Sequence, residues 1–481
     1  MENDMNKIKV GILTFSDGRD YIHQEMLDIN KEYQEKLVAE LEKYPYIEVF
    51  SGSQIIGDAE TARLEGQFLE SMHVDVTICN YAIWCYPHLT AIATRFAPGP
   101  YIMFCNLHPS KCGMVGMMAA SGTMDQLGRK YKKVWGNIQD KDVLESLMVS
   151  IRASSAVASL KGQTMGVFGG RPLGMYTAVS NLDQWQTLFG LDVDHCEQHE
   201  IIRRASSIEQ EKVTKARVFL EQNSQVLYDE KVLTKEIFER QIRTYYSLLE
   251  IIKEKKYDFI GIKSIGDLTD YWCTVDVAEA FLNDPYDWDG PKEPIVAATE
   301  ADMDGALTMQ IFKHLVRGTQ AVLFSDVRHY DWDKKVWFFS NSGTHATWFA
   351  NKSSDIKENL KFVKFKPECS DFPAGGASVH HFAAPGKVTL ARLARKEGQY
   401  WMAIVPGEIT QFDQKTMEDL GDLVTPEWPI AFTKLNVSPE YFINNFPCNH
   451  IHGVYGDFVE ELKQFCEILD IRYQVFDIKE L

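Results

Sequence analysis

The chain has 481 residues, enough for two or three domains, and its 45% hydrophobic and 25% charged residues are the balance of a folded protein with a large core rather than a disordered one. The formal charge is -18 with no Lys/Arg-rich block to offset it. That field excludes nucleic acid and anionic membrane surfaces as partners and suits a neutral substrate or a cation, though it also serves solubility alone.

The N-terminus, MENDMNKIKVGILTF, is charged and passes straight into a strand, with neither a signal-peptide core nor a membrane span. Lys7–Phe15 reads as a strand, 24–43 as a helix, 47–49 as a short strand, 59–72 as a helix, and 74–80 and 101–106 as further apolar strands. Strands that are nearly continuous apolar runs, alternating with helices, imply a parallel sheet covered on both faces. A second such unit begins at Lys161, where KGQTMGVFGGRPLGM runs from a strand into a Gly-rich loop. The charged stretch 200–256 is helical with a solvated face. Apolar runs at 259–263, 295–300 and 321–326 follow, with 306–315 helical between the last two.

After about Leu360 the texture changes to short strands, 387–393, 400–405 and 430–435, separated by Gly, Pro and Asp turns. A helix at 457–469 and a strand at 473–476 close the chain. The fold class is α/β: two doubly wound parallel-sheet domains, 1–160 and 161–345, followed by a mostly antiparallel, β-barrel-like domain, 346–481. Nine cysteines, at 79, 85, 105, 112, 196, 273, 369, 448 and 466, form no CxxC pair and read as buried, reduced thiols of a cytoplasmic protein.

Two carboxylates stand out by position. Glu300 ends the run IVAATE and Asp326 ends AVLFSD. Carboxyl ends of parallel strands line ligand crevices, so two adjacent strands that each end in an acid can aim both at one cation. Either acid alone also reads as a helix cap or a surface residue. Asn449-His450-Ile451-His452 adds imidazole, and one imidazole with two carboxylates makes a hard, open site suited to Mn²⁺, Mg²⁺ or Co²⁺. Such a His is equally a core residue. Cys448 is the only nearby sulfur, which gives no support to a thiolate zinc site. The stretch Gly166–Gly174 lacks GxGxxG, and no Walker-type GK[ST] occurs, which sets a nicotinamide oxidoreductase far behind. It reads as a tight turn bringing Arg171 toward a ligand, or as a plain strand-to-helix turn.

At PYDWDGPKEPIVAATEADMDGALTMQ (285–310), FSDVRHYDWD (324–333), NSGTHATWF (341–349) and NHIHGVYGD (449–457) the chain resembles the L-fucose isomerases, with L-arabinose isomerases more distant; GGRPLGMYTAV (169–179) and SDGRDY (16–21) match more loosely. The resemblance implies three domains, a hexamer with active sites between subunits, and an aldose–ketose isomerase working through a cis-enediolate. It implies Glu300, Asp326 and His450 as ligands of Mn²⁺ (or Co²⁺ or Mg²⁺), with Glu300 and Asp326 also the acid/base pair. Arg19, Trp84, Lys263, Trp428 and Asn445 fall where substrate contacts are expected. His345 stands where L-fucose isomerases carry a small residue and arabinose isomerases a metal-binding His, so it and His452 are further candidate ligands. The expected substrates are L-fucose and D-arabinose type sugars. A sulfonated hexose such as sulfoquinovose, clamped by Lys263 or Arg171, ranks second, and a non-catalytic sugar-binding protein is the rival of another class.

Overall fold

A computed structural model describes residues 7–108, 110–342, 345–368 and 372–477. The chain forms two compact units, one reaching to Leu160 together with Glu460–Asp470, the other covering Lys161–Val459 and the residues from Ile471 on.

In the first unit the strands Ile47–Ser51, Ile8–Phe15, Val76–Tyr81, Tyr101–Cys105 and Tyr131–Trp135 lie side by side in that order, and each pair is parallel. Successive side chains of a strand leave opposite faces, and both faces here are apolar. Ile102 and Phe104 join one core with Val10 and Ile12, while Met103 and Cys105 join another with Leu13 and Phe15. This double burial is why the strands read as unbroken apolar runs. One described helix, Lys141–Leu160, is long and apolar enough to cross a membrane, but it packs Leu147, Met148 and Ile151 into the core of this sheet. The carboxyl ends of Ile8–Phe15 and Val76–Tyr81 are neighbours, so Arg19 and Trp84 follow the two strands at which the order reverses, the usual crevice of such sheets.

The second unit contains a four-stranded parallel sheet, in the order Ala297–Thr299, Phe259–Ile262, Thr164–Phe168, Asp192–Cys196. Helices Lys235–Lys255, Asp276–Asn283 and Met303–Leu315 pack on it, the first two through a buried set that includes Phe238, Tyr245, Phe281 and Ile260. The same unit holds a seven-stranded sheet in the order Gly386–Lys396, His450–Tyr455, Leu323–Asp331, Val336–Ser340, Ile430–Leu435, Gln399–Ile409, Arg472–Val475. Its first and sixth strands also pair, so six antiparallel strands close into a ring, with the seventh added in parallel outside. The mixture of parallel sheets followed by a largely antiparallel one matches the expected class.

Two expectations need correction. Asp326 does not end a strand of the parallel sheet beside that of Glu300. It is the fourth residue of the nine-residue strand Leu323–Asp331 in the antiparallel ring, paired with Val336–Ser340 on one side and His450–Tyr455 on the other. The run does not stop at the acid: VRHYD continues it, and an irregularity between Val327 and His329 breaks the two-residue period that would have shown this. The cysteines are free but not uniformly buried. Cys79, Cys85, Cys105, Cys273 and Cys466 are, Cys196 and Cys448 are partly covered, and Cys112, just ahead of the helix Gly113–Gln126, is exposed. Cys369, and Gly343 and Thr344 of the NSGTHATWF motif, lie outside the described residues.

Candidate metal and proton-transfer site

The site is built where the parallel sheet ends and the ring begins, both within the second unit. Asp326 and His450 are direct cross-strand partners in register, so their side chains leave the same face of the ring a few ångströms apart. Glu300 arrives from the other sheet. The strand Ala297–Thr299 is followed by two non-glycine residues with left-handed backbone, Glu300 at φ 55° and Ala301 at φ 44°. The turn is held by Ala301 N donating to Ile262 O at 2.8 Å and Asp302 N to Thr299 O at 3.1 Å. Consecutive non-glycine residues in this region are strained and persist only where the surroundings determine them. Here the result is a carboxylate carried directly over the ring.

Glu300 Oε2 lies 3.2 Å and Asp326 Oδ1 3.3 Å from His450 Nε2. The imidazole is fully buried, yet Nε2 has no hydrogen-bond partner. The carboxylate side chains retain 14% and 18% exposure, which leaves one open side to the cluster. On the far side of the ring, His450 Nδ1 is 2.6 Å from Asp302 Oδ2. Asp302 is also the N-cap of Met303–Leu315, accepting from Gly305 N at 3.0 Å, and forms a buried ion pair with Arg392. Asn341 Nδ2 donates to Asp326 Oδ2 at 2.9 Å and Asn449 Nδ2 to Asp326 Oδ1 at 3.3 Å, fixing that carboxylate.

The electrostatics favour a positive charge at the centre. Burial alone would lower the pKa of His450, but the Asp302 and Glu300 carboxylates hold it well above the usual imidazole range. Burial, aided by Glu300, pushes the carboxyl of Asp326 up, against the pull of His450. Asp302 stays ionised despite its burial, because Arg392 and His450 face it. Donors on neighbouring octahedral positions of a small divalent ion stand about 3 Å apart. Among the described residues, no three His, Cys, Asp or Glu side chains are spaced to hold a metal ion as they stand. Each carboxylate stands from His450 Nε2 at that octahedral spacing plus a few tenths of an ångström. Two carboxylate oxygens, an unpartnered buried imidazole nitrogen and a carboxylate behind the ring are the donor set such an ion takes. In donor chemistry the residues fit a divalent ion.

The remaining candidates fall in several places. Lys263 follows the strand Phe259–Ile262, with Nζ 3.8 Å from Asp267, and the loop of Gly169 and Arg171 follows Thr164–Phe168 on the same edge of the parallel sheet. A Cβ on Gly169, whose φ is 88°, would stand 2.9 Å from Lys263 Cβ, so glycine is what lets these two strand ends approach. Arg171 is exposed and its guanidinium lies 5.1 Å from the Tyr176 ring centre. Trp428 is buried, with Nε1 donating to Glu368 at 2.7 Å and Arg328 stacked at 4.6 Å. Asn445 is exposed on the helix Pro439–Asn445 and bonds the carbonyl of Tyr441. His345 meets Ser325 Oγ at 2.9 Å, on the neighbour of Asp326 whose side chain leaves the other face of the strand. His452 pairs with Arg392 at 3.1 Å. Arg19, held by Asp17 at 2.9 and 2.5 Å, and the half-buried Trp84 belong to the first unit.

Asp302, Arg392, Asn341 and Asn449 surround the cluster, and none of them is a site candidate in the sequence alone. Asp302 had a signal, the aspartate three residues before Gly305 that marks a helix cap. Arg392 had one too, a lone charge inside VTLARLA, which in a buried strand demands a partner.

Three family models match the chain: L-fucose isomerase, first N-terminal domain, over residues 7–162; second N-terminal domain, over 256–318; and C-terminal domain, over 339–477. Glu300 falls in the second match and His450 in the third, while Asp326 lies between them. An L-fucose isomerase of Salmonella arizonae is 27% identical over 366 residues, 67% of this chain and 61% of that protein. Those of Salmonella paratyphi B and Salmonella typhimurium are 29% identical over 363 residues, with the same 67% and 61% coverage. The chain thus spans less than two thirds of the length of these relatives.

Proposed function

The chain belongs to the L-fucose isomerase family, and on that premise we propose that it is a metal-dependent sugar isomerase, interconverting an aldose and its ketose by moving a proton between C1 and C2. The observation that carries this reading is that Glu300 and Asp326 each approach the unpartnered Nε2 of His450 to 3.3 Å or less. These three would hold Mn²⁺, Co²⁺ or Mg²⁺, and a bound ion would polarise the substrate carbonyl and offset the charge of an enediolate.

The protein's own groups supply the proton steps. Glu300 and Asp326, on opposite sides of the sugar, each keep an oxygen for proton transfer, one taking the C2 proton and the other delivering a proton at C1. Positioned acid/base groups of this kind contribute about 10²–10⁴-fold. Asp302 fixes the ring of His450 by accepting from Nδ1, which leaves Nε2 as the donor atom. Asn341 and Asn449 keep Asp326 from turning away. Lys263 and Arg171 stand at the carboxyl edge from which the sugar would enter. We assign Arg19, Trp84, Trp428 and Asn445 to substrate contacts as well, with Arg19 and Trp84 reaching the site of a neighbouring chain in a hexamer.

L-fucose and D-arabinose, which share configuration at C2 to C4, are the proposed substrates. A panel of aldoses including both, and a sulfonated hexose, tested with added Mn²⁺ in ²H₂O, is the experiment. Ketose from L-fucose or D-arabinose, carrying solvent deuterium, is the expected result. Ketose without deuterium would replace proton transfer by a hydride shift, and sugar binding with no ketose from any aldose would leave a sensor instead of an enzyme.

A further inference from the structure

We infer that Arg392 is a positioning residue that joins the His450 imidazole and the loop after the strand Thr164–Phe168 into one mechanical unit, so that filling the ion site and fixing that loop occur together. The inference rests on the proposed ion site.

Arg392 lies in the strand Gly386–Lys396 with its side chain 1% exposed. Its guanidinium engages three elements at once. Both terminal nitrogens reach the Asp302 carboxylate, with Nη2 3.0 Å from Oδ1. Nη1 is 3.1 Å from His452 Nε2, and Nη2 donates to the carbonyl of Thr177 at 2.9 Å. Asp302 Oδ2, in turn, holds His450 Nδ1. The path from the ion-facing nitrogen to the loop backbone therefore runs through one imidazole, one carboxylate and one guanidinium, all buried. A planar fork with several fixed donors can serve such a junction, and a lysine ammonium cannot.

The next two carbonyls of the loop are tied beside it. Ala178 O accepts from Met303 N at 2.9 Å, and Val179 O accepts from Arg395, whose Nε is 3.0 Å from Asp304 Oδ2. Three consecutive carbonyls, 177 to 179, are thus pinned by the first residues of the helix Met303–Leu315 or by their arginine partners. The tip behaves differently: Leu173 is 66% and Tyr176 83% exposed. Within this tip, Met175 Sδ lies 4.0 Å from Asn449 Nδ2, the same amide that donates to Asp326. The loop that carries Arg171 thus lies against the site and is anchored to the residue that holds its histidine. By linkage, whatever the ion does to the loop, a loop-bound ligand does to the ion.

The test is amide hydrogen exchange over residues 170–180 in chelator-stripped and Mn²⁺-loaded protein, with Mn²⁺ affinity measured by titration calorimetry without sugar, for wild type, Arg392→Lys and Arg395→Gln. Loading slows exchange over the loop in wild type. Arg392→Lys weakens Mn²⁺ binding about 10–100-fold, the usual effect of losing an outer partner of a ligand, and abolishes the slowing. Arg395→Gln, which touches the loop but neither Asp302 nor His450, speeds exchange and weakens Mn²⁺ binding less than Arg392→Lys does. Unchanged loop exchange on loading wild type overturns the inference, as does wild-type Mn²⁺ affinity in Arg392→Lys, or equal weakening by both variants. Should Arg392→Lys fail to fold, the wild-type exchange comparison decides alone. A wild-type chain that binds no Mn²⁺, Co²⁺ or Mg²⁺ removes the ion site itself together with this inference, a result distinct from all the others.

Discussion

The two regions that meet at the cluster hold their carboxylates in different ways. Asp326 and His450 are opposed on paired strands of a closed ring, so backbone register alone sets their separation. Glu300 hangs on a turn in which two non-glycine residues take left-handed backbone, each at a cost of about 1–2 kcal/mol. The ring presents a rigid pair that needs no local strain. The turn stores strain to place one acid, and the cap at Asp302 and the bonds of Ala301 and Asp302 to the parallel sheet offset it. A rigid pair suits ligation, and a separately mounted acid suits proton transfer.

The largest test of that contrast is Glu300→Gln. It keeps the shape of the turn, so thermal unfolding should be near wild type while the isomerisation rate drops about 10²–10⁴-fold, the share of a positioned acid/base group. Near-normal turnover would remove the turn from the chemistry. Next is Gly305→Ala, in the cap. A Cβ there would stand 2.5 Å from Asp302 Oδ2 and 2.8 Å from Arg392 Nη1. We expect a loss of about 1–3 kcal/mol in denaturant unfolding, typical of overpacking, with weaker Mn²⁺ binding. Unchanged stability and affinity would mean the cap does not brace the histidine.

On the ring side, His381 is bonded through its carbonyl to Ile430 N and is fully buried, which pushes its imidazole down to about 4 from an ordinary value near 6.5. A base depressed in the fold contributes stability above its unfolded value and loses it as pH falls through its folded one. The stability advantage of wild type over His381→Gln should therefore be larger at pH 7 than at pH 5, read from denaturant midpoints. A constant gap would mean that folding does not depress the His381 imidazole. The smallest effect belongs to Asn445→Ala. An exposed amide bonded only to its own helix should change stability by no more than about 0.5 kcal/mol, and a raised KM with unchanged melting would mark it as a substrate contact.

Much of this architecture was readable before folding. Continuous apolar runs such as Val76–Tyr81 and Tyr101–Cys105 announce strands buried on both faces, and the short, Gly- and Asp-punctuated strands after Leu360 announce antiparallel pairing. The convergence of Glu300, Asp326 and His450 was also anticipated, but by a wrong route for Asp326. Its strand runs on past the acid through a bulge, so a local pattern ended where the element did not. The partner of His450 was hidden for another reason. Asp302 and His450 are 148 positions apart, and an aspartate after a strand already has a local explanation as a cap. Here one carboxylate does both jobs, and only tertiary structure reveals the second.

The most direct test of the central claim is the rate of ketose formation by chelator-stripped protein, before and after Mn²⁺, Co²⁺ or Mg²⁺ is restored, in wild type and in His450→Ala. The account predicts no isomerisation without the ion, recovery in wild type on adding it back, and no recovery at the same concentration in the variant. Full-speed isomerisation by the stripped protein, or equal recovery in His450→Ala, would contradict it.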